Sequence, residues 1–159
     1  MIVARVVTEL TPQKVKEYED IKKIYRESDV LLMPGYGGYF IMAYLEAFSY
    51  GLPIIALDTY GVSEFVIPGK TGFTVKPSAN APVNVPEYPA NTRSKKFIEM
   101  IKEKDPKVIN DLVNKCELII KSPELLKKMS VESQEDFSNK SLSSNPSQCR
   151  VITPAPAFM

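Results

Sequence analysis

Apolar and polar positions along this chain change rhythm several times, and each change marks an element. The run "IVARVV" (Ile2 to Val7) is short and β-branched, and the Thr11-Pro12 pair after it is a boundary, which predicts a strand. Between Gln13 and Glu27, Tyr18, Ile21, Ile24 and Tyr25 recur at helical spacing with lysines and acids opposite, so one stripe of this helix should pack inward. "DVLLMPG", opened by Ser28-Asp29 and closed by Pro34-Gly35, reads as a buried strand, and so does Pro53 to Leu57. The segment Tyr39 to Tyr50 between them is long enough for a helix, ended by Gly51 and barred from continuing by Pro53. A strand, helix, strand unit of this size pairs its strands in parallel.

The rhythm persists through a short helix around Ser63 to Ile67, a Pro68-Gly69 turn and a strand from Gly72 to Val75. Pro77, Pro82, Pro86 and Pro89 then interrupt everything to Asn91. Helical pattern returns from Ser94, with Phe97, Ile98, Ile101, Val108, Leu112, Ile119 and Ile120 as expected inner positions, and Ser122-Pro123-Glu124 opens another helix. From Ser130 to Ser147 seven of eighteen residues are serine, and the end alternates proline with small residues. The expected organisation is an α/β domain over 1–129 with C-terminal helices, and a disordered tail over 130–159.

Composition narrows the chemistry. The 159 residues suit one core. A formal net charge of +1 does not point to nucleic acid as a partner. There is no histidine, and Cys116 and Cys149 are the only cysteines, so neither a metal site nor a disulfide framework is expected and the chain reads as cytoplasmic. No apolar run reaches the roughly 18 residues of a membrane span. Membrane association, if peripheral, is expected only through parts outside this sequence.

The chemical question lies in "PGYGGYFIMAYLEAFSYGLPIIAL", Pro34 to Leu57. Glu46 stands in an otherwise apolar helix, where an unpartnered carboxylate is costly to bury. It is either an exposed helix acid, since glutamate is a good helix former, or a carboxylate held by a partner. The glycines before the helix let the backbone approach a ligand closely, and the N–H groups of Phe40, Ile41 and Met42 would open it with the positive end of its dipole. A diphosphate suits that place, and a glycine turn needed only for packing is the alternative. "PGKTGF" is no phosphate-binding P-loop, because Glu64 stands five before Gly69 and a strand follows.

From Ile21 to Pro77 the order of these segments resembles the retaining glycosyltransferases of the GT-B fold, group four. "YRESDVLLMP" resembles the family's strand leading into its donor site, and "FIMAYLEAFSYGLPIIA" its Glu-Ala helix with the following Gly-x-Pro and strand. "YGVSEFVIPGKTGF" resembles its Gly-Gly-x-x-Glu and Gly-x-Thr-Gly-Phe signatures. The resemblance implies a Rossmann-like parallel sheet flanked by helices, the C-terminal half of a GT-B fold, that holds a nucleotide diphosphate sugar. It also implies that Glu46 is the second acid of the family's Glu-x7-Glu motif and accepts hydrogen bonds from the ribose hydroxyls. Gly37, Gly38, Tyr39, Phe40, Ile41 and Met42 would line the donor, with Gly61 and Glu64 nearby. Glu64 can equally be an acid that complements the dipole of a short helix.

Two departures from the family pattern bear on activity. The position eight before Glu46 is Gly38, where the family has its first glutamate, and three residues further a family glycine is Ile41. The strand and helix that carry the family's Arg and Lys have no counterpart here, and "MIVARVVTEL" matches a start two strands later. The expectation is therefore an enzyme part: the donor domain of a transferase that moves a sugar to an acceptor hydroxyl with retention, needing an N-terminal domain for activity. No cofactor or metal is implied, and the acceptor would be a sugar or a lipid-linked glycan. The alternative is a non-catalytic nucleotide-sugar-binding or interaction module derived from the same fold.

Overall fold

A computed structural model of the chain describes residues 6–7, 18–36, 41–59, 61–79, 81, 95–102 and 104–143. Four strands, β1 (Val6–Val7), β2 (Val30–Met33), β3 (Ile54–Leu57) and β4 (Gly72–Val75), form one parallel sheet in chain order. Leu31 pairs with Ile54, and Ile54 with Gly72, so the register is continuous across the three longer strands. The α/β parallel architecture expected from the alternation of segments is the one observed.

Helix α1 (Tyr18–Arg26) connects β1 to β2, α2 (Ile41–Ser49) connects β2 to β3, and a 3-10 turn (Val62–Glu64) lies between β3 and β4. Sequential parallel strands joined by crossovers of one hand put all connections on one face of the sheet. The packing agrees: Leu31, Ile54 and Ala56 of the sheet share a core with Tyr25 of α1, Tyr44, Ala47 and Phe48 of α2, and Val62 and Val66 of the turn region. The alternate strand residues point the other way, as the two-residue period of a strand requires. Val30 and Ile55 meet Ile119 and Met129, and Leu57 and Val75 meet Val108. That second face is covered by α4 (Pro106–Lys121) and the first turns of α5 (Pro123–Ser143). Both faces being covered explains why the strands read as unbroken apolar runs.

Several expectations need correction. The short helix placed at Ser63 to Ile67 is a 3-10 turn over Val62–Glu64. Ile98, in α3 (Lys95–Lys102), and Ile120 in α4 are exposed, not inward. The stripe of α4 that meets the sheet is Val108, Leu112 and Ile119, and Ile120 stands about 100° further round the helix.

The larger correction concerns the expected tail. Residues 130–143 belong to α5, while 144–159 lie outside the described residues. Serine is a modest helix former, but Met129, Ser133 and Phe137 recur four apart and make one face. Met129 and Ser133 are fully buried, and Phe137 packs on the core that contains α2. Small Ser130 and Ser133 let α5 approach closely. Gly51, just past α2, has a positive φ of 71°, and a Cβ there would stand 2.7 Å from the Ser130 Oγ. The serines that suggested a loop are the ones that let the helix dock.

Candidate functional site

In an open parallel sheet ligands gather beyond the carboxyl ends of the strands, where loops are free of ladder hydrogen bonds. Here that edge carries Pro34 to Tyr36 after β2, Asp58 and Thr59 after β3, and Lys76 to Ser78 after β4. Tyr36 packs against Leu57, Val75 and Val108, which closes one side of the edge with apolar surface. Asp105 caps α4 by accepting from Lys107 N at 2.9 Å. Its hydrogen bond with the Ser78 side chain, then that with the Lys107 amide, holds its carboxyl below the usual range. This contact ties the loop after β4 to the start of α4.

Glu46 lies in the second turn of α2, about 7 Å along the axis from Ile41. It is half-buried and it has a partner: the Tyr25 hydroxyl donates to Glu46 Oε2 at 3.2 Å. Tyr25 is buried, and its ring stacks on Tyr50 with centroids 5.5 Å apart and planes 20° from parallel. Tyr50 follows Glu46 by four residues, so one phenol rests against consecutive turns at the end of α2. One turn above Glu46, on the same stripe, Met42 is 68% exposed. The carboxylate is thus held by Tyr25 on the side of α1.

Gly61 and Glu64 form the turn after β3. Gly61 has a positive φ of 75° and precedes the 3-10 turn, and Glu64 N donates to Gly61 O at 3.2 Å. Glu64 is exposed in the first turn, a place where an acid complements the local dipole. Tyr44 of α2 meets Phe65 with ring centroids 6.3 Å apart. Tyr44 and Glu46 are two residues apart, about 200° around the helix. Glu46 therefore faces α1, while Gly61 and Glu64 lie along the other flank of α2.

Of the residues expected to make one site, Glu46 is bonded to α1 through Tyr25, and Gly61 and Glu64 lie in the turn whose neighbour Phe65 meets Tyr44 of α2. Gly37, Gly38, Tyr39 and Phe40 lie outside the described residues, as does the side chain of Ile41, whose backbone opens α2.

Sequence reasoning did not assign a site role to Tyr25, read only as an inward helix position. Its signal was present, since a hydroxyl on a buried stripe needs an acceptor and Glu46 was the acid in want of a donor. Thr59, at the end of β3, was also passed over. It is buried, and its Oγ1 has no hydrogen-bond partner among the described residues. Among those residues no group of three or more Cys, Asp or Glu side chains could hold a metal ion, and no helix is long and apolar enough to cross a membrane.

Residues 10–83 match the family model described as Glycosyl transferases group 1. Over 70 residues the chain is 37% identical to a D-inositol 3-phosphate glycosyltransferase of Rhodococcus erythropolis, covering 44% of this chain and 15% of that protein. Over the same length it is 36% identical to a D-inositol 3-phosphate glycosyltransferase of Nocardia farcinica, with the same coverage. The chain therefore spans only a small part, 15%, of the curated relatives it matches. No solved structure gives a significant match. The segment that matches, residues 10–83, holds α1, α2 and three of the four described strands of the parallel sheet, so the likeness to the group 1 glycosyltransferases falls on the α/β part of the chain.

Proposed function

We propose that this domain binds the donor of a retaining glycosyltransferase, a nucleotide diphosphate sugar, and that the sugar passes to an acceptor hydroxyl bound by a second domain. The observation that carries this reading is the half-buried Glu46 carboxylate, fixed on α2 inside the segment that matches a glycosyltransferase family. Its two oxygens suit the vicinal hydroxyls of a ribose, as an acid reads the ribose in dinucleotide folds. The diphosphate would lie across the N-terminal end of α2, where free N–H groups and the helix dipole favour negative charge. That end separates the flank of Glu46 from the flank of Gly61 and Glu64, so a donor laid over it would reach both. The sugar would then lie toward Gly61.

The protein's part in such a transfer is charge stabilisation and positioning. The helix end would stabilise the departing diphosphate with dipoles already in place. Aligning donor and acceptor supplies much of the remaining rate, and one half of a cleft does not align both. The acceptor belongs to the sugar, polyol or lipid-linked glycan class. On this reading the enzyme would act in the cytoplasm, peripheral to the membrane where its acceptor is lipid-linked.

A second reading is favoured by one position. Gly38 brings no carboxylate to the place where the family resemblance puts an acid near the transferred sugar. A domain that binds a nucleotide sugar without transferring it would tolerate this.

Titration of the chain with nucleoside diphosphates, by calorimetry, tests the donor reading. Removing a charged acceptor costs about 1.5–3 kcal/mol, so Glu46→Ala should weaken binding roughly ten- to a hundredfold, while the fall in stability should stay within the about 1–3 kcal/mol that a buried Tyr25 hydroxyl without this acceptor costs. Identical curves for parent and mutant would sink it. Sugar transfer by the purified chain alone would overturn the need for a second domain. Absence of transfer by a longer chain that does bind the donor would favour the binding module.

A further inference from the structure

We infer that Tyr25 is the positioning residue for the Glu46 carboxylate, setting the rotamer in which that acid meets the ribose of the donor. The inference rests on the donor-site reading of Glu46. A glutamate on a helix has three rotatable side-chain bonds, and a half-open position does not restrict them. The Tyr25 phenol is different: it is 2% exposed, and its ring is stacked on Tyr50, so its hydroxyl is held in one place. From there it donates to Oε2 across the gap between α1 and α2.

A carboxylate offers about four acceptor positions, and the tyrosine takes one of them. The acid is half-buried, bonded on one side by the Tyr25 hydroxyl, and Met42 one turn earlier on the same stripe of α2 is exposed. A ligand lying along the start of α2 would meet a carboxylate already oriented toward it. Pre-orientation of this kind reduces the ordering cost of binding. At 3.2 Å the Tyr25 bond is longer than the usual O–H···O range of about 2.5–3.0 Å, so its share in binding should be modest.

The alternative is that Tyr25 and Glu46 only join α1 to α2. Ribose dependence separates the two roles, because a structural pair is indifferent to the sugar hydroxyls. The experiment measures binding of UDP and GDP, and of their 2′,3′-dideoxy forms, to the parent, Tyr25→Phe, Glu46→Ala and the double variant, with a thermal melt of each. Tyr25→Phe should bind the better of UDP and GDP about fivefold more weakly than the parent, a ratio set by the loss of pre-orientation and not by a lost contact to the ligand. It should bind the dideoxy form as the parent does, and it should cause no further loss in the Glu46→Ala background.

Equal weakening of both nucleotide forms, or no weakening of either, overturns the assignment. So does loss of cooperative melting in Tyr25→Phe, since the hydroxyl would then be a determinant of the fold. A parent that binds, with Glu46→Ala weakened for the ribose form and Tyr25→Phe unchanged, overturns the role of Tyr25 alone. A parent that binds neither UDP nor GDP overturns the donor reading itself, and this inference with it.

Discussion

A Cβ on Gly72 would stand 1.8 Å from the carbonyl oxygen of Ile54. Gly72 opens β4, and Ile54 is its partner in the register of the sheet, so the two backbones meet at the point where the last parallel pairing begins. The Thr71-Gly72-Phe73 stretch is fixed from both sides: Thr71 Oγ1 accepts from Ile67 N at 2.9 Å and donates to Phe65 O at 3.1 Å, and Ile54 N donates to Thr71 O. No side chain moves aside to admit a methyl group there. The backbone itself would have to.

Gly72→Ala is therefore expected to cost more than about 4 kcal/mol, the range of exceptional single mutations, and to lose cooperative unfolding in a denaturant melt. Gly61→Ala is the matched comparison. Nothing lies within 4 Å of a Cβ at Gly61, and only its positive φ of 75° opposes the change, so about 1–2 kcal/mol is expected. Equal losses at the two sites would show that φ, and not contact, governs both.

The docking of α5 gives a second expectation. Met129→Ala removes a fully buried side chain between the sheet and α5, and should destabilise by about 2–5 kcal/mol. Ser133→Leu, on the next turn of the same face, should cost about 1–3 kcal/mol by overpacking. Val131 is 50% exposed, and Val131→Ala should leave the urea midpoint nearly unchanged. Indifference of the midpoint to Met129→Ala would mean that α5 is not part of the cooperative unit.

Acid titration should reveal Asp105. Its carboxyl is lowered by the Ser78 side chain and by the Lys107 amide, so it binds its proton more weakly folded than unfolded. The stability it contributes is present above the unfolded carboxyl pKa of about 3.9 and is lost as the pH falls through the lower folded value. Asp105→Asn keeps a good N-cap and should melt like the parent at pH 7. Between pH 5 and pH 2 its melting temperature should fall less steeply, and superimposable acid limbs would contradict the assignment.

At alkaline pH the sensitive group is Tyr44. Burial pushes its phenol up to about 12, above the ordinary tyrosine value of about 10. The contribution is full below pH 10 and is lost as the pH climbs through the folded value, because the unfolded chain gives up that proton first. Tyr44→Phe should flatten this part of the stability curve, and an ultraviolet titration of the folded chain should lack one tyrosinate step near pH 10. Retention of the full step in Tyr44→Phe's parent would show that Tyr44 ionises normally.

The strands at Val30, Ile54 and Gly72, the helix ended by Gly51, and the parallel pairing were all legible in the order of residues. These depend on local rules: the two-residue period of a strand, the inability of proline to continue a helix, and the length of a crossover. The resemblance that runs from Ile21 to Pro77 was legible for the same reason, since its motifs are short and fixed in spacing. Gly72 was legible only as the start of a strand, because its closeness to Ile54 arises between strands.

Tertiary packing decided what spacing left open. Serines at 130 and 133 have the same local preferences in a loop as in a helix, and only the surface of α2 and the sheet, offered to Met129, Ser133 and Phe137, favours the helix. Glu46 raised the question of its partner from sequence, but the partner lies 21 residues away in another helix. Which flank of α2 faces α1 and which faces the turn after β3 follows from how three elements share one side of a sheet. A hydrogen bond or a buried stripe is specified by distances in space, and the chain determines those distances only once its elements have packed.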